Sequence, residues 1–242
     1  MIAILSDFGN SEYLGIMKGV IYSIAKNAKI IDLYNDVIPY KVREGAWILL
    51  NSYKYFPENT IFLCVVDPGV GSERQGIAIR TKNYYFVGPD NGLMFPAANA
   101  DKILEIIKIK EDAGISKTFH GRDVFAKAAA ELENNKDIIK LGENTKIKNK
   151  LSFYLNSRVG EIVRIDNFGN IITNLQHINK DSYIVKYRNA EKTLKFCRTY
   201  AEAPQSELFL IMGSSNTLEI SIKNNKAAEK FCVEVGDKIE IK

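Results

Sequence analysis

The stretch VVDPGVGSERQG, residues 65–76, puts an acid and a base where they can meet. An apolar run ends at Asp67, Arg74 follows, and Pro68, Gly69 and Gly71 between them let the chain double back. A carboxylate emerging from a buried strand is partly desolvated, and a guanidinium offers it a fixed fork of donors. Such a pair is either a structural ion pair or part of a site that holds and deprotonates a water molecule. The two residues alone leave both open. His120, one of two histidines, stands in FHGRD (119–123) just before a helical pattern. A ligand-facing donor, an acid–base group and a helix cap are all open to it there.

Other polar turns carry fewer signals. SDFGNSEY (6–13) and GPDNGL (88–93) follow apolar runs, where ligands of open α/β sheets bind. In the second half, IDNFGNIITNL (165–175) sets Asp166, Phe168 and Asn170 in a hairpin-like turn. Turn chemistry accounts for the Asp, Asn and Gly, whereas an aromatic at Phe168 could stack on a base or a partner. RTYAEAP (198–204) and MGSSNTLEI (212–220) are the remaining candidates. No GxxxxGK[ST] loop, no GxGxxG after the first strand and no GxSxG elbow occurs. The His and Cys spacing matches no metal site, so none is expected.

These turns need elements to hold them. Apolar runs at 2–5, 29–34, 60–66, 76–81, 84–90 and 103–109 read as strands, those at 76–81 and 84–90 as a tight hairpin across Lys82-Asn83, and helical patterns occupy 13–26, 42–56 and 125–132. Their alternation predicts an α/β domain over 1–145, with a mostly parallel sheet flanked by helices. A lysine-rich linker follows at 146–157. Short strand patterns over 158–242 predict a smaller all-β barrel. Lys and Arg exceed Asp and Glu by only 33 to 29, with no concentrated basic face, so no nucleic-acid partner is expected. Cys64, Cys197 and Cys232 are odd in number and far apart, as suits reduced thiols. The chain opens on a strand pattern rather than a signal peptide, and no apolar run approaches bilayer length. The expectation is a soluble cytoplasmic protein without a membrane partner.

Taken together, SDFG, VVDPGVGSxR, GPDNGL, FHGRDVFA and IDNFGNIITN occur in this order over nearly the full length. In this the chain resembles the S-adenosylmethionine (SAM) hydroxide adenosyltransferases, relatives of the SAM-dependent fluorinase and chlorinase. The resemblance implies an α/β domain followed by a β-barrel, and a homotrimer with active sites at subunit interfaces. It implies hydrolysis of SAM to adenosine and methionine, with SAM as substrate and no cofactor or metal. It implies that Asp67, Arg74 and His120 form the catalytic set. Asp7 would bind the ribose hydroxyls, Tyr40 would flank the sugar or methionine, and Asn91 would stand near the site. Asp166 would take the methionine amine, Asn170 and Tyr200 the adenine, and Ser214 the methionine carboxylate.

Where the fluorinase has a tyrosine and a fluoride-holding serine, this chain has Asp67 and Gly121. An anion beside a carboxylate in a dry pocket is strongly repelled, whereas water is not. The halogenase arginine near the methionine carboxylate is replaced by Ile222, so another group must serve there. A halogenase forming 5′-halo-adenosine and a non-catalytic SAM- or adenosine-binding regulator are the alternatives.

Overall fold

A computed structural model describes residues 1–242. The chain forms two compact units, Met1–Leu151 and Ser152–Lys242. No helix is long and apolar enough to cross a membrane.

The first unit is built on a seven-stranded sheet. Its elements are β1 (Ile2–Ser6), α1 (Glu12–Ile24), β2 (Ile30–Tyr34), α2 (Val42–Ser52), β3 (Ile61–Val65), β4 (Gly76–Thr81) and β5 (Tyr85–Pro89). These are followed by α3 (Phe95–Ala100), β6 (Ile103–Ile109), α4 (Lys127–Glu133) and β7 (Gly142–Asn144). Every residue of β1 and β3 is buried, as expected of central strands covered on both faces. Because side chains alternate along a strand, the pleat sorts them into two cores. Ile2, Ile4, Leu63 and Val65 join Met17 and Ile21 of α1 and the alanines of α4. Ala3, Leu5, Phe62 and Cys64 face Leu49 of α2 and Ala97 of α3 instead.

The strand order is β2-β1-β3-β5-β4-β6-β7. The first four run parallel. The pairs β4–β5, β4–β6 and β6–β7 are antiparallel, so the sheet is mixed rather than mostly parallel. The reason is the short connection after β4: a parallel pairing needs a crossover of about a dozen residues or more. Asp101 fixes this turn, its carboxylate accepting from Thr81 Oγ1 at 2.6 Å and from the Asn83 N–H at 2.8 Å. The helix expected at 125–132 begins earlier, as a wide π-type turn over Gly121–Ala126 that runs into α4.

Residues 146–151 belong to the first unit, so the first half of the expected 146–157 linker is not a free tether. Ile147 is buried in the α2/α3 core, and the Asp90 carboxylate accepts the Lys148 N–H at 2.8 Å.

The second unit contains β8 (Val159–Ile165), β9 (Ile171–Thr173), β10 (Ser182–Tyr187), β11 (Ala190–Lys195), β12 (Leu208–Met212), β13 (Leu218–Ile222), α5 (Ala227–Phe231) and β14 (Lys238–Ile241). Its antiparallel sheet runs β11-β10-β14-β8-β9-β13-β12. A bridge between Phe196 and Leu210 brings the two ends of that order together, so the sheet is nearly closed and barrel-like. In β10, Tyr183, Val185 and Tyr187 point inward and alternate with exposed residues. The unit is not all-β: α5 packs Ala227 and Phe231, one helical turn apart, into the core. All three cysteines are unpaired.

Candidate active site

Strand β3 carries the chain into the sheet interior, and Asp67 emerges two residues beyond it. The returning loop brings Arg74 onto Asp67 with two hydrogen bonds. Nε donates to Oδ1 at 2.9 Å and Nη2 to Oδ2 at 2.5 Å. The Arg74 and Asp67 side chains are only 8% and 7% exposed, so the pair is held away from bulk water. The same Nη2 lies 3.0 Å from Nδ1 of His120, which is itself buried. The Arg74 guanidinium also sits over the Phe125 ring, 5.3 Å from its centroid.

This contact fixes the state of the histidine. A guanidinium only donates, so His120 Nδ1 must be the acceptor. The imidazole proton then resides on Nε2, and the ring presents a donor at its other edge.

Gly71 allows the two loops to meet. It adopts φ +77°, and a Cβ placed there would lie 2.4 Å from the Lys117 carbonyl oxygen. A left-handed conformation alone costs a non-glycine residue roughly 1–2 kcal/mol. Gly71→Ala therefore lowers unfolding free energy by at least about that amount in urea titrations, and it weakens turnover by parting the Asp67 loop from the His120 loop. Unchanged stability would refute this reading of the contact.

Asp67 and His120 open into a cleft of about 550 Å³ that Asp7 and Tyr40 also line. The Tyr40 N–H donates to Asp7 Oδ2 at 3.0 Å. Burial pushes the Asp7 carboxyl above its ordinary value, opposed by that hydrogen bond and reinforced by the charge of Asp67. Phe8, Tyr13 and Phe119 make one wall, with ring centroids 5.2–5.9 Å apart. Arg74 does not line this cleft and acts through its two partners.

Asn91 is not brought to the cleft. Its amide donates to the Val66 carbonyl at 2.7 Å and accepts the Leu93 N–H at 3.2 Å, so it braces the end of β3. The sequence reading also missed two features. The buried Ser11 hydroxyl lines the cleft without a hydrogen-bond partner. Asp123, held down at about 2 chiefly by its hydrogen bonds from Arg122, anchors the Ser116 N–H at 2.8 Å and so the loop leading to His120. No group of three or more His, Cys, Asp or Glu residues gathers as a metal site.

The second unit has its own cleft, of about 960 Å³, lined by Asp166, Phe168, Asn170, Tyr200 and Ser214. Asp166 ties its own turn together. Oδ1 accepts the N–H groups of Phe168 (2.9 Å) and Asn170 (2.8 Å), and Oδ2 accepts the Asn170 amide at 2.9 Å. Phe168 is 77% exposed, an aromatic face without an internal partner. The Tyr200 hydroxyl meets Ser221 Oγ at 3.3 Å. Ile222 is packed in the core, while Lys223 and Lys226 line the cleft beside it. Glu219, also in the lining, had no sequence signal.

Known proteins agree with this layout. Residues 2–142 match the model of the SAM hydroxide adenosyltransferase N-terminal domain, and residues 160–240 match that of the C-terminal domain. An (R)-S-adenosyl-L-methionine hydrolase from Methanocaldococcus jannaschii is 40% identical over 100% of this chain and 95% of its own length. Another hydrolase of that name, from Thermus thermophilus, is 31% identical over 96% and 95%. The crystal structure of a conserved protein from Thermotoga maritima superposes with a TM-score of 0.92 at 33% identity, covering 100% of both chains. Two family models that follow each other along nearly the whole sequence, and full-length relatives above 30% identity, give one conclusion: the chain belongs to the SAM hydroxide adenosyltransferase family.

Proposed function

We propose that this protein hydrolyses (R)-S-adenosyl-L-methionine to adenosine and L-methionine by delivering one water to the ribose C5′. The observation that carries this is the shared Nη2 of Arg74, which holds the Asp67 carboxylate and His120 Nδ1 at once. The hydrolases to which the chain is similar act on this substrate by name.

The sulfonium makes methionine a neutral thioether leaving group, so the reaction needs no general acid. It needs a nucleophile in line with the C5′–S bond and an acceptor for its proton. One lone pair of the water forms the O–C5′ bond while the C5′–S pair moves onto sulfur. The Nε2–H of His120 donates to the other lone pair and so aims the first. Asp67 accepts a water hydrogen and takes the proton as the bond forms. Alignment and proton transfer are the two sources of acceleration, the latter worth about 10²–10⁴-fold. Asp7 and Tyr40 hold the ribose end. Asp166, Phe168, Asn170, Tyr200 and Ser214 hold the adenine and methionine ends, in a homotrimer of the kind the family resemblance implies. Sedimentation at equilibrium gives a trimer mass if this assembly is right. The unpaired cysteines support a cytoplasmic location.

Incubation with SAM in ¹⁸O-labelled water, followed by chromatography and mass spectrometry, places the label on the 5′-oxygen of adenosine. Unlabelled adenosine, or 5′-halo-adenosine when chloride or fluoride is present, would overturn the proposal.

A further inference from the structure

Helix α1 opens at Ser11, and a serine in that place normally closes the helix end by accepting an N–H of the first turn. Ser11 has the extended backbone of such a cap, φ −114° and ψ 164°, yet its side chain makes no capping hydrogen bond. Its hydroxyl oxygen is instead buried, without a hydrogen-bond partner in the protein, at the cleft that Asp67 and His120 line. A buried hydroxyl left unbonded is costly, and a ligand that bonds it removes that cost.

The neighbouring groups indicate which ligand. The loop between β1 and α1 is pinned by Asn35: Ser6 Oγ donates to its Oδ1 at 2.8 Å, and the Gly9 N–H donates to its carbonyl at 2.7 Å. That loop brings two hydrogen-bonding side chains to the cleft, Asp7 and, four residues on, Ser11. Besides His120, the titratable side chains with a charge at neutral pH in the lining are Asp7, Asp67 and Arg122, and Arg122 is taken up by two hydrogen bonds to Asp123. A carboxylate only accepts, whereas a hydroxyl also donates. A vicinal diol uses both: its protons go to Asp7, and one of its oxygens receives the Ser11 proton.

We propose that the Ser11 hydroxyl donates to one of the two ribose hydroxyls of the substrate and makes the enzyme selective for ribose over deoxyribose. This inference rests on the hydrolase reading above, in which Asp7 holds the ribose, and it adds a specificity residue to that reading. The ribose hydroxyls are unchanged while the C5′–S bond breaks, so the contact is equally strong before and during the reaction. Its loss therefore falls on KM rather than on kcat.

The test compares the full-length wild type with Ser11→Ala on SAM and on its 2′-deoxy and 3′-deoxy analogues. On SAM, S11A loses about 3- to 10-fold in kcat/KM, the worth of one neutral hydrogen bond, and the loss appears in KM. On the analogue that lacks the partner of Ser11, S11A matches wild type; on the other analogue it shows the same loss as on SAM. The melting temperature does not fall, because no capping bond is removed. S11A that equals wild type on SAM, or that loses the same factor on all three substrates, overturns the proposal. A lowered melting temperature would make the hydroxyl a helix cap and overturn it as well. Wild type that fails to cleave SAM defeats the hydrolase reading instead. Calorimetry with adenosine and its 2′-deoxy and 3′-deoxy forms then reads the Ser11 contact by the same pattern, so the two failures are separable.

Discussion

Asp67→Asn lowers kcat by about 10³-fold at saturating SAM, within the range of about 10²–10⁴ for a positioned proton acceptor. Asparagine keeps an oxygen for Arg74 and nearly the same volume, but it cannot take a proton from water. Substrate binding changes little, because the ribose and amino-acid contacts proposed above lie on other residues. Stability also falls, since Asp67 balances a guanidinium that is 8% exposed. Removing one partner of a buried ion pair typically costs about 3–5 kcal/mol, and an amide restores part of it. Measuring kcat by single turnover, SAM affinity by calorimetry and unfolding in urea separates these effects. A variant with kcat within tenfold of wild type would show that Asp67 is structural and that the water loses its proton elsewhere.

How much of this was legible beforehand depends on whether a residue's role is local. The run at 60–66 is apolar throughout, and a strand buried on both faces is the simplest thing it can be; β3 and the emergence of Asp67 follow. The pairing of Asp67 with Arg74 needs only a loop that doubles back, which Pro68, Gly69 and Gly71 signal. Strand direction is not local in this way. The two-residue connection between 76–81 and 84–90 signals an antiparallel hairpin, and that hairpin forms; nothing in 103–109 signals its direction, yet it pairs antiparallel with β4, because the connections, not the strand residues, set direction. Asn91 shows the opposite limit. Its motif suggested a place near the substrate, but its amide nitrogen and oxygen bond to Val66 and Leu93. Glu219 was invisible because TLEIS reads as an ordinary alternating strand with a solvated acid. Only the closeness of Gly213 and Asp166 reveals a buried one. The role of His120 was likewise open in sequence, since donor, base and cap are all available to a histidine. The Arg74 contact narrows it to one edge.

That narrowing has a measurable consequence. His120 Nδ1 is held by Arg74 Nη2 at 3.0 Å, so in the proposed mechanism the ring reaches the cleft as an Nε2–H donor rather than as the base. Glutamine places its amide nitrogen close to the Nε2 position, whereas asparagine places its amide near Nδ1. His120→Gln therefore keeps a donor toward the water and loses about tenfold in kcat, chiefly through looser alignment. His120→Asn keeps an acceptor for Arg74 but leaves the water without its donor, and kcat falls by about 10²–10³-fold, comparable to removing one stabilising donor from an active site. The order Gln above Asn is the point. A histidine acting as general base would make both variants equally inactive, because neither amide accepts a proton at neutral pH. A reversed order would mean that the Nδ1 contact, and not the cleft-facing donor, carries the function of the residue. Kinetics on the two variants, with melting temperatures to confirm that each is folded, thus decide between orientation of the water and removal of its proton as the task of His120.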